Sequence, residues 1–248
     1  MHKGKTVFLQ KFIDGHTCKK NEGNHEQLIE SAQYLGKIIK GFDGFKTEQN
    51  VTIQDWYSKN EFEKANKKYD LILNNIDNSE LGKKIKDDIL FKKALLQKIS
   101  NTINITELNK ITCKVSHGDY NCLQFIYDEN NKIKAILDFI KTKKLPIVWE
   151  IARSYSYIDY KAKNGNIDVK NLVDYTKEVA KFINLNTYDL KYLPYIYLIQ
   201  LARSPFGYEQ YYKNVKNKEE LLEFAFYRTN ICRDLYDKAE QISKQLLN

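Results

Sequence analysis

The sequence predicts a mainly α-helical protein with a small β-hairpin region, an α+β fold. Three observations lead there. Apolar residues recur at helical spacing through most of the 248 residues, while a short island between 111 and 140 has β-branched, alternating character. Hydrophobic residues make up 42% and charged residues 29%, a globular composition. The chain is long enough to bury a sizeable core, as one large domain or two small ones.

Taken in order, "KTVFLQKFI" near the N-terminus reads as a strand that stops at Asp14-Gly15. The period then changes: Leu28, Ala32, Leu35, Ile38 and Ile39 fall on one helical face, and Gly41 offers an end. "QDWYSKNEFEKANKKYDLILNNI" and "SELGKKIKDDILFKKALLQKIS" are two further helix candidates, the second with Ile85, Ile89, Leu95, Leu96 and Ile99 as its apolar positions. "ITCKV", "CLQFIYD" and "KIKAILDFI" read as strands, and "ENNK" between the last two has hairpin-loop chemistry. After Pro146 the chain returns to helices, in "IVWEIARSYSYIDYKAK", "VKNLVDYTKEVAKFI", "LPYIYLIQLARS" and the final thirty residues.

Composition also narrows function. No apolar run approaches the roughly 20 residues needed to span a bilayer, and no signal peptide opens the chain, so no membrane partner is expected. Cys18, Cys113, Cys122 and Cys232 are scattered without paired spacing, which argues against a zinc site or a disulfide framework and for a reducing, cytoplasmic setting. The formal charge of +8 invites a nucleic-acid reading, but the lysines are interleaved with acids in every segment, so no nucleic-acid partner is expected.

The chemistry concentrates in "SHGDYNCLQF" and "IKAILDF". Phosphoryl transfer from ATP to a hydroxyl needs a carboxylate to accept or orient the hydroxyl proton, oxygen ligands for Mg²⁺, and a grip on the phosphates. An acid on a tight turn before a hairpin, with a second acid at the hairpin's end, supplies the first two. Mg²⁺ takes few protein oxygens, so one carboxylate and one amide oxygen suffice. Singly, Asp119 reads as a turn residue and Asp138 as a strand-end acid facing water; jointly their spacing needs an explanation.

"HGDYNCLQFIYDENNKIKAILDF", followed by "LPIVWEIARSY", resembles the catalytic segment of the aminoglycoside phosphotransferase and choline kinase-like superfamily, distant relatives of protein kinases. The pattern of His-Gly-Asp, an Asp-Phe closing a hairpin, and Pro-x-x-x-Glu is specific in combination. The resemblance implies ATP and Mg²⁺ as cofactors and a small-molecule hydroxyl acceptor as partner. It implies Asp119 as catalytic base, with His117 buttressing the catalytic loop, and Asp138 as metal-binding acid. Glu150 is implied to tie its helix to that loop, and Gln10, Lys11 and Phe12 to form the hinge that reads adenine. The family's metal-binding Asn falls at Gln124, which keeps an amide oxygen but adds a methylene; Asn121 stands in the wrong register to replace it.

On this resemblance residues 1–15 are the remnant of an N-lobe and its hinge strand, and residues 16–248 a helical C-lobe with catalytic loop and metal-binding hairpin. The nucleotide-covering loop and phosphate-gripping lysine are then expected to be missing, because Lys3 and Lys5 stand too close to the hinge, and turnover by this chain alone is expected to be impaired. A non-catalytic binding or structural protein, of the spore-coat type, is the competing expectation. The acceptor stays open. A polycationic aminoglycoside calls for an acidic pocket, for which Glu209, Glu219, Glu220, Glu223, Asp234 and Asp237 are on offer. Tyr195, Tyr197, Tyr208, Tyr211 and Tyr212 read as core in preference to a pocket lining, and Cys113 and Cys122 as small buried hydrophobes.

Overall fold

The computed structural model describes residues 11–248. The first helix, α1 (His25–Gly41), starts where Asn24 and Gln27 form a reciprocal capping box, and it ends at the expected glycine. Its buried stripe includes Leu28, Ala32, Leu35 and Ile39. The next candidate divides: a 3₁₀ turn covers Ile53–Asp55, and α2 (Lys59–Leu73) begins only after Ser58, whose hydroxyl accepts from the Glu61 N–H. The long helix α3 (Glu80–Thr102) is capped by Ser79 and buries Ile85, Ile89, Leu95, Leu96 and Ile99, as their spacing requires. One more turn, α4 (Ile105–Leu108), precedes the β island.

That island contains β1 (Cys113–Ser116), β2 (Phe125–Tyr127), β3 (Ile133–Ile136) and β4 (Lys143–Pro146). It forms two antiparallel pairs, β2 with β3 and β1 with β4. The second pair was not legible in the sequence, because "KTKKLP" is basic and ends in proline. Its strand is specified by its partner, with Cys113 opposite Pro146 and Ser116 opposite Lys143.

Four helices complete the body: α5 (Ile147–Ile158), α6 (Val169–Ala180), α7 (Thr187–Arg203) and α9 (Lys218–Leu247), with a short α8 (Tyr208–Tyr212) between the last two. The helix α7 begins six residues before the expected "LPYIYLIQLARS", because Asn186 and Asp189 make a capping box, and Pro194 is carried inside it. It packs along α9 and against α5, and α1 lies on α6. Tyr197 and Tyr208 are fully buried, and Tyr195, Tyr211 and Tyr212 pack against the same core, in line with the expectation that they are structural.

The expected N-terminal strand needs correction over its described part. Residues 11–13 carry no ladder, and Phe12 is 86% exposed. The segment first meets a strand at His16, which exchanges both backbone hydrogen bonds with Tyr127 on β2. Gly15 makes that approach possible, since a Cβ there would lie 2.4 Å from the Tyr127 carbonyl oxygen.

Candidate active site

The turn after β1 places His117, Gly118 and Asp119 beside the end of the β2–β3 hairpin. One imidazole ties the two together. The buried His117 ring donates from Nε2 to the Leu137 carbonyl at 2.8 Å, and its Nδ1 accepts from the Asp119 N–H at 3.3 Å. The side chain thus spans from the residue before Asp138 to the backbone of Asp119. It buttresses both and reaches no solvent. Phe139 covers it, the ring centroids 4.6 Å apart.

Gly118 is required for a second reason. Its φ is +79°, and a Cβ there would stand 2.0 Å from the Lys141 carbonyl oxygen. Gly118→Ala is therefore expected to cost about 1–2 kcal/mol from the left-handed conformation alone, with more from the clash. It would push the 3₁₀ turn Phe139–Lys141 off the His117–Asp119 turn. A urea titration reads that cost, and an unchanged midpoint would contradict the packing described.

Glu150 behaves as the resemblance implied. It is fully buried on α5 and accepts from the Tyr120 N–H at 3.3 Å, tethering the loop just past Asp119. Burial pushes its carboxyl upward, and the neighbouring Arg153 and the Tyr120 N–H oppose that rise. Tyr120 also donates to the Ser31 carbonyl, so the loop is clamped to α1 as well.

Two cations flank Asp119. The Arg153 guanidinium lies 2.5 Å from Oδ1, and the Lys141 ammonium 2.7 Å from Oδ2. Burial raises the Asp119 pKa, but Arg153 and then Lys141 outweigh it, and the carboxyl sits below its usual range. The group is an ionised acceptor at neutral pH, better suited to orienting a hydroxyl than to holding its proton. Neither cation was picked out in the sequence. Arg153 carried a usable signal, since it stands three residues after Glu150 on one helix face. Lys141 carried none, because its reach depends on the turn that follows Asp138.

Asp138 is exposed and adopts φ 60°, ψ 60°, a left-handed conformation that is uncommon outside glycine, and its side chain makes no capping hydrogen bond. Such an outlier at a strand end points to a functional constraint. Across the hairpin, the Gln124 carbonyl accepts from the Leu137 N–H at 2.9 Å, so Gln124 stands beside Asp138. The Asn121 amide oxygen is committed to the Leu123 N–H and its nitrogen to the Asp119 carbonyl, which removes it as an alternative ligand. Among the described residues no group of three or more His, Cys, Asp or Glu could hold a metal ion. One carboxylate and one amide oxygen are nonetheless donors of the kind that suit Mg²⁺ completing its shell with phosphate oxygens and water.

Lys11 and Phe12 are exposed, and Gln10 lies outside the described residues, so the expected hinge is only partly in view. Cys122 is buried beside the loop and donates to the Tyr157 carbonyl; burial pushes its thiol up to about 11, which makes it unreactive near neutral pH. Two of the acids on offer for a polycation are committed elsewhere, while Glu219, Glu220, Glu223 and Asp237 are exposed. Glu209 pairs with Lys213 and Lys68, and Asp234 with Lys238 and the Ile167 N–H. No helix among the described residues is long and apolar enough to cross a membrane.

No family model matches the sequence, and no curated protein matches it in a sequence comparison. Solved structures do match in fold. The chain is similar to an aminoglycoside phosphotransferase from Alicyclobacillus acidocaldarius, with a TM-score of 0.57 and 12% identity over 91% of this chain and 70% of that one. It is similar to a putative aminoglycoside phosphotransferase from Ralstonia eutropha, with a TM-score of 0.55 and 11% identity over 92% and 72%. A spectinomycin phosphotransferase in complex with ADP and spectinomycin gives a TM-score of 0.55 and 17% identity over 95% and 70%. A mostly helical body carrying a small antiparallel hairpin, matched over nine-tenths of its length, gives this chain the fold seen in these aminoglycoside phosphotransferase structures.

Proposed function

We propose that the chain is an ATP-dependent phosphotransferase that moves the γ-phosphoryl group to a hydroxyl of a small molecule. The observation that carries this reading is the His117 bridge, which holds the Asp119 loop and the Asp138 hairpin end against each other. Asp119 accepts a hydrogen bond from the acceptor hydroxyl and aligns its oxygen. Asp138 and Gln124 hold Mg²⁺, which supplies neutralisation of phosphate charge when bound. Lys141 lies within reach of Asp119 and offers a mobile cation to the transferred group. Gln10, Lys11 and Phe12 are assigned to adenine recognition on the resemblance alone. The division of the chain at residue 15 is part of the same proposal.

The double ion pair on Asp119 favours a second reading, a non-catalytic binding or structural protein, because both carboxylate oxygens are engaged by the protein's own cations. Mg²⁺-dependent nucleotide binding and ADP release against hydroxylated acceptors separate the two. Failure to bind Mg·ATP at all would remove the kinase reading. Within it, Gln124→Asn is expected to leave Mg²⁺-dependent nucleotide binding unchanged or tighter, because it keeps the amide oxygen and sheds a methylene. Loss of metal-dependent binding with an intact fold would make the longer side chain a specific fit.

A further inference from the structure

Beside Asp119, between the catalytic loop, α5 and the start of α9, lies a cavity of 240 Å³ whose walls include Lys20, Arg153, Tyr157 and Phe224. We infer that this cavity takes an anionic acceptor, a small hydroxylated carboxylate or phosphate ester, and excludes polycations. The inference rests on the phosphotransferase reading and names the substrate class for that site.

Charge is the first ground. Among the described residues lining the cavity, Asp119 is the single acid, and its carboxylate is already paired with Arg153 and Lys141. Lys20 and Arg153 remain as positive walls. Glu22, two residues past Lys20, is exposed and does not line the cavity. Nη1 of Arg153 is buried without a hydrogen-bond partner, a donor left over after Nη2 has engaged Asp119.

The second ground is how Lys20 is held. Its ammonium sits 3.3 Å from the centroid of the Tyr227 ring and 5.4 Å from that of Phe224. Burial lowers its pKa, as expected of an ammonium stabilised by aromatic faces in place of a carboxylate. A bound anion would restore it. The next residue, Asn21, locks the position: it is buried, has φ 59°, and donates from Nδ2 to the carbonyls of Ser156 and Asp159. The Tyr227 hydroxyl donates to the Asn21 side-chain oxygen at 3.1 Å, so one tyrosine both anchors the backbone and seats the ammonium. A lysine fixed at this level, over aromatic rings that a cationic ligand would otherwise stack on, repels a polycation by occupying its place.

Size is the third ground. Pockets for drug-sized ligands run to about 300–1,000 Å³, and this one is smaller. A larger cavity of 420 Å³ between α2 and α3 touches neither catalytic acid.

The test is calorimetric titration of the purified chain, with Mg·ADP present, using glycerate, glycerol 3-phosphate, glycerol and kanamycin. Selective binding of either anion supports the inference, and comparing the first two distinguishes carboxylate from phosphate recognition. Lys20→Gln should weaken that binding at least tenfold, and Lys20→Arg should recover most of it, which a general folding defect would not do. Binding of kanamycin with no anion selectivity, binding of none of the four, or anion binding indifferent to Lys20→Gln each overturns it. ADP release run in parallel keeps the two claims apart. Anion binding by a chain that fails to bind Mg·ATP sinks the phosphotransferase reading and leaves the pocket's preference standing, whereas turnover of kanamycin alone does the reverse.

Discussion

Asp119→Asn is expected to lower kcat about 10²–10⁴-fold, the range for loss of a positioned acid–base group. The substitution keeps the side chain's shape but removes the charge that two cations face. Arg153 is the more enclosed of the two, so its loss of a partner adds a stability cost, whereas Lys141 is 57% exposed and finds water instead. Circular dichroism and a denaturation midpoint separate that cost from the kinetic one. The pH dependence carries a sign. Because Arg153 and Lys141 depress the Asp119 pKa against the effect of burial, the group stays ionised down to a pH below about 4. The wild-type rate should show no acid limb from this residue between pH 5 and 8. Its stabilising contribution, present above the unfolded value near 3.9, should fade only as pH drops through the lower folded value. A steep kinetic limb near pH 6 assigned to Asp119 would contradict the ion pairs.

Asp138→Asn is expected to weaken Mg²⁺-dependent nucleotide binding at least tenfold, about 1.4 kcal/mol or more, while leaving the fold intact. The two halves of this expectation have different causes. Binding falls because Asp138 is exposed at the hairpin end with no capping hydrogen bond of its own, and the substitution removes the charge proposed to hold the metal. Stability holds because the residue is exposed and its left-handed conformation is one that asparagine tolerates at least as well. Titrating nucleotide with and without Mg²⁺, alongside a thermal melt, checks both. Equal loss of nucleotide affinity with and without the metal would show that Asp138 acts on the nucleotide or the loop and not through an ion.

Much of the architecture was legible because the residues specify it locally. The apolar spacing of α1 and α3 fixes both helices, and Asn24 and Ser79 fix their starts. Elsewhere the local signal was outweighed. The α2 candidate was drawn too long because Gln54 to Tyr57 fit a helical period, yet the Asp55 carboxylate accepts from the Thr52 N–H and closes a 3₁₀ turn there. Pro194 hid the first part of α7, although a buried helix packed on α9 and α5 absorbs one missing hydrogen bond. The basic strand β4 is specified by its partners, β1 on one side and residues 49–51 bonding Lys144 on the other.

The family resemblance grouped His117, Asp119, Asp138 and Glu150 into one motif; by itself the sequence determined the α+β class and the order of most elements. These are properties of periodicity, caps and turns, which act over a few residues. The tertiary structure decided what surrounds that motif. It brought Arg153 and Lys141 onto the two oxygens of Asp119, from 34 and 22 residues away in the chain. It committed the amide of Asn121 to a turn, and seated Lys20 on the ring of Tyr227 more than two hundred residues later. Electrostatic contacts act through space and carry no period, so beyond the spacing of Arg153 from Glu150 no pattern along the chain announces them. They set the ionisation of Asp119 and the charge of the cavity beside it.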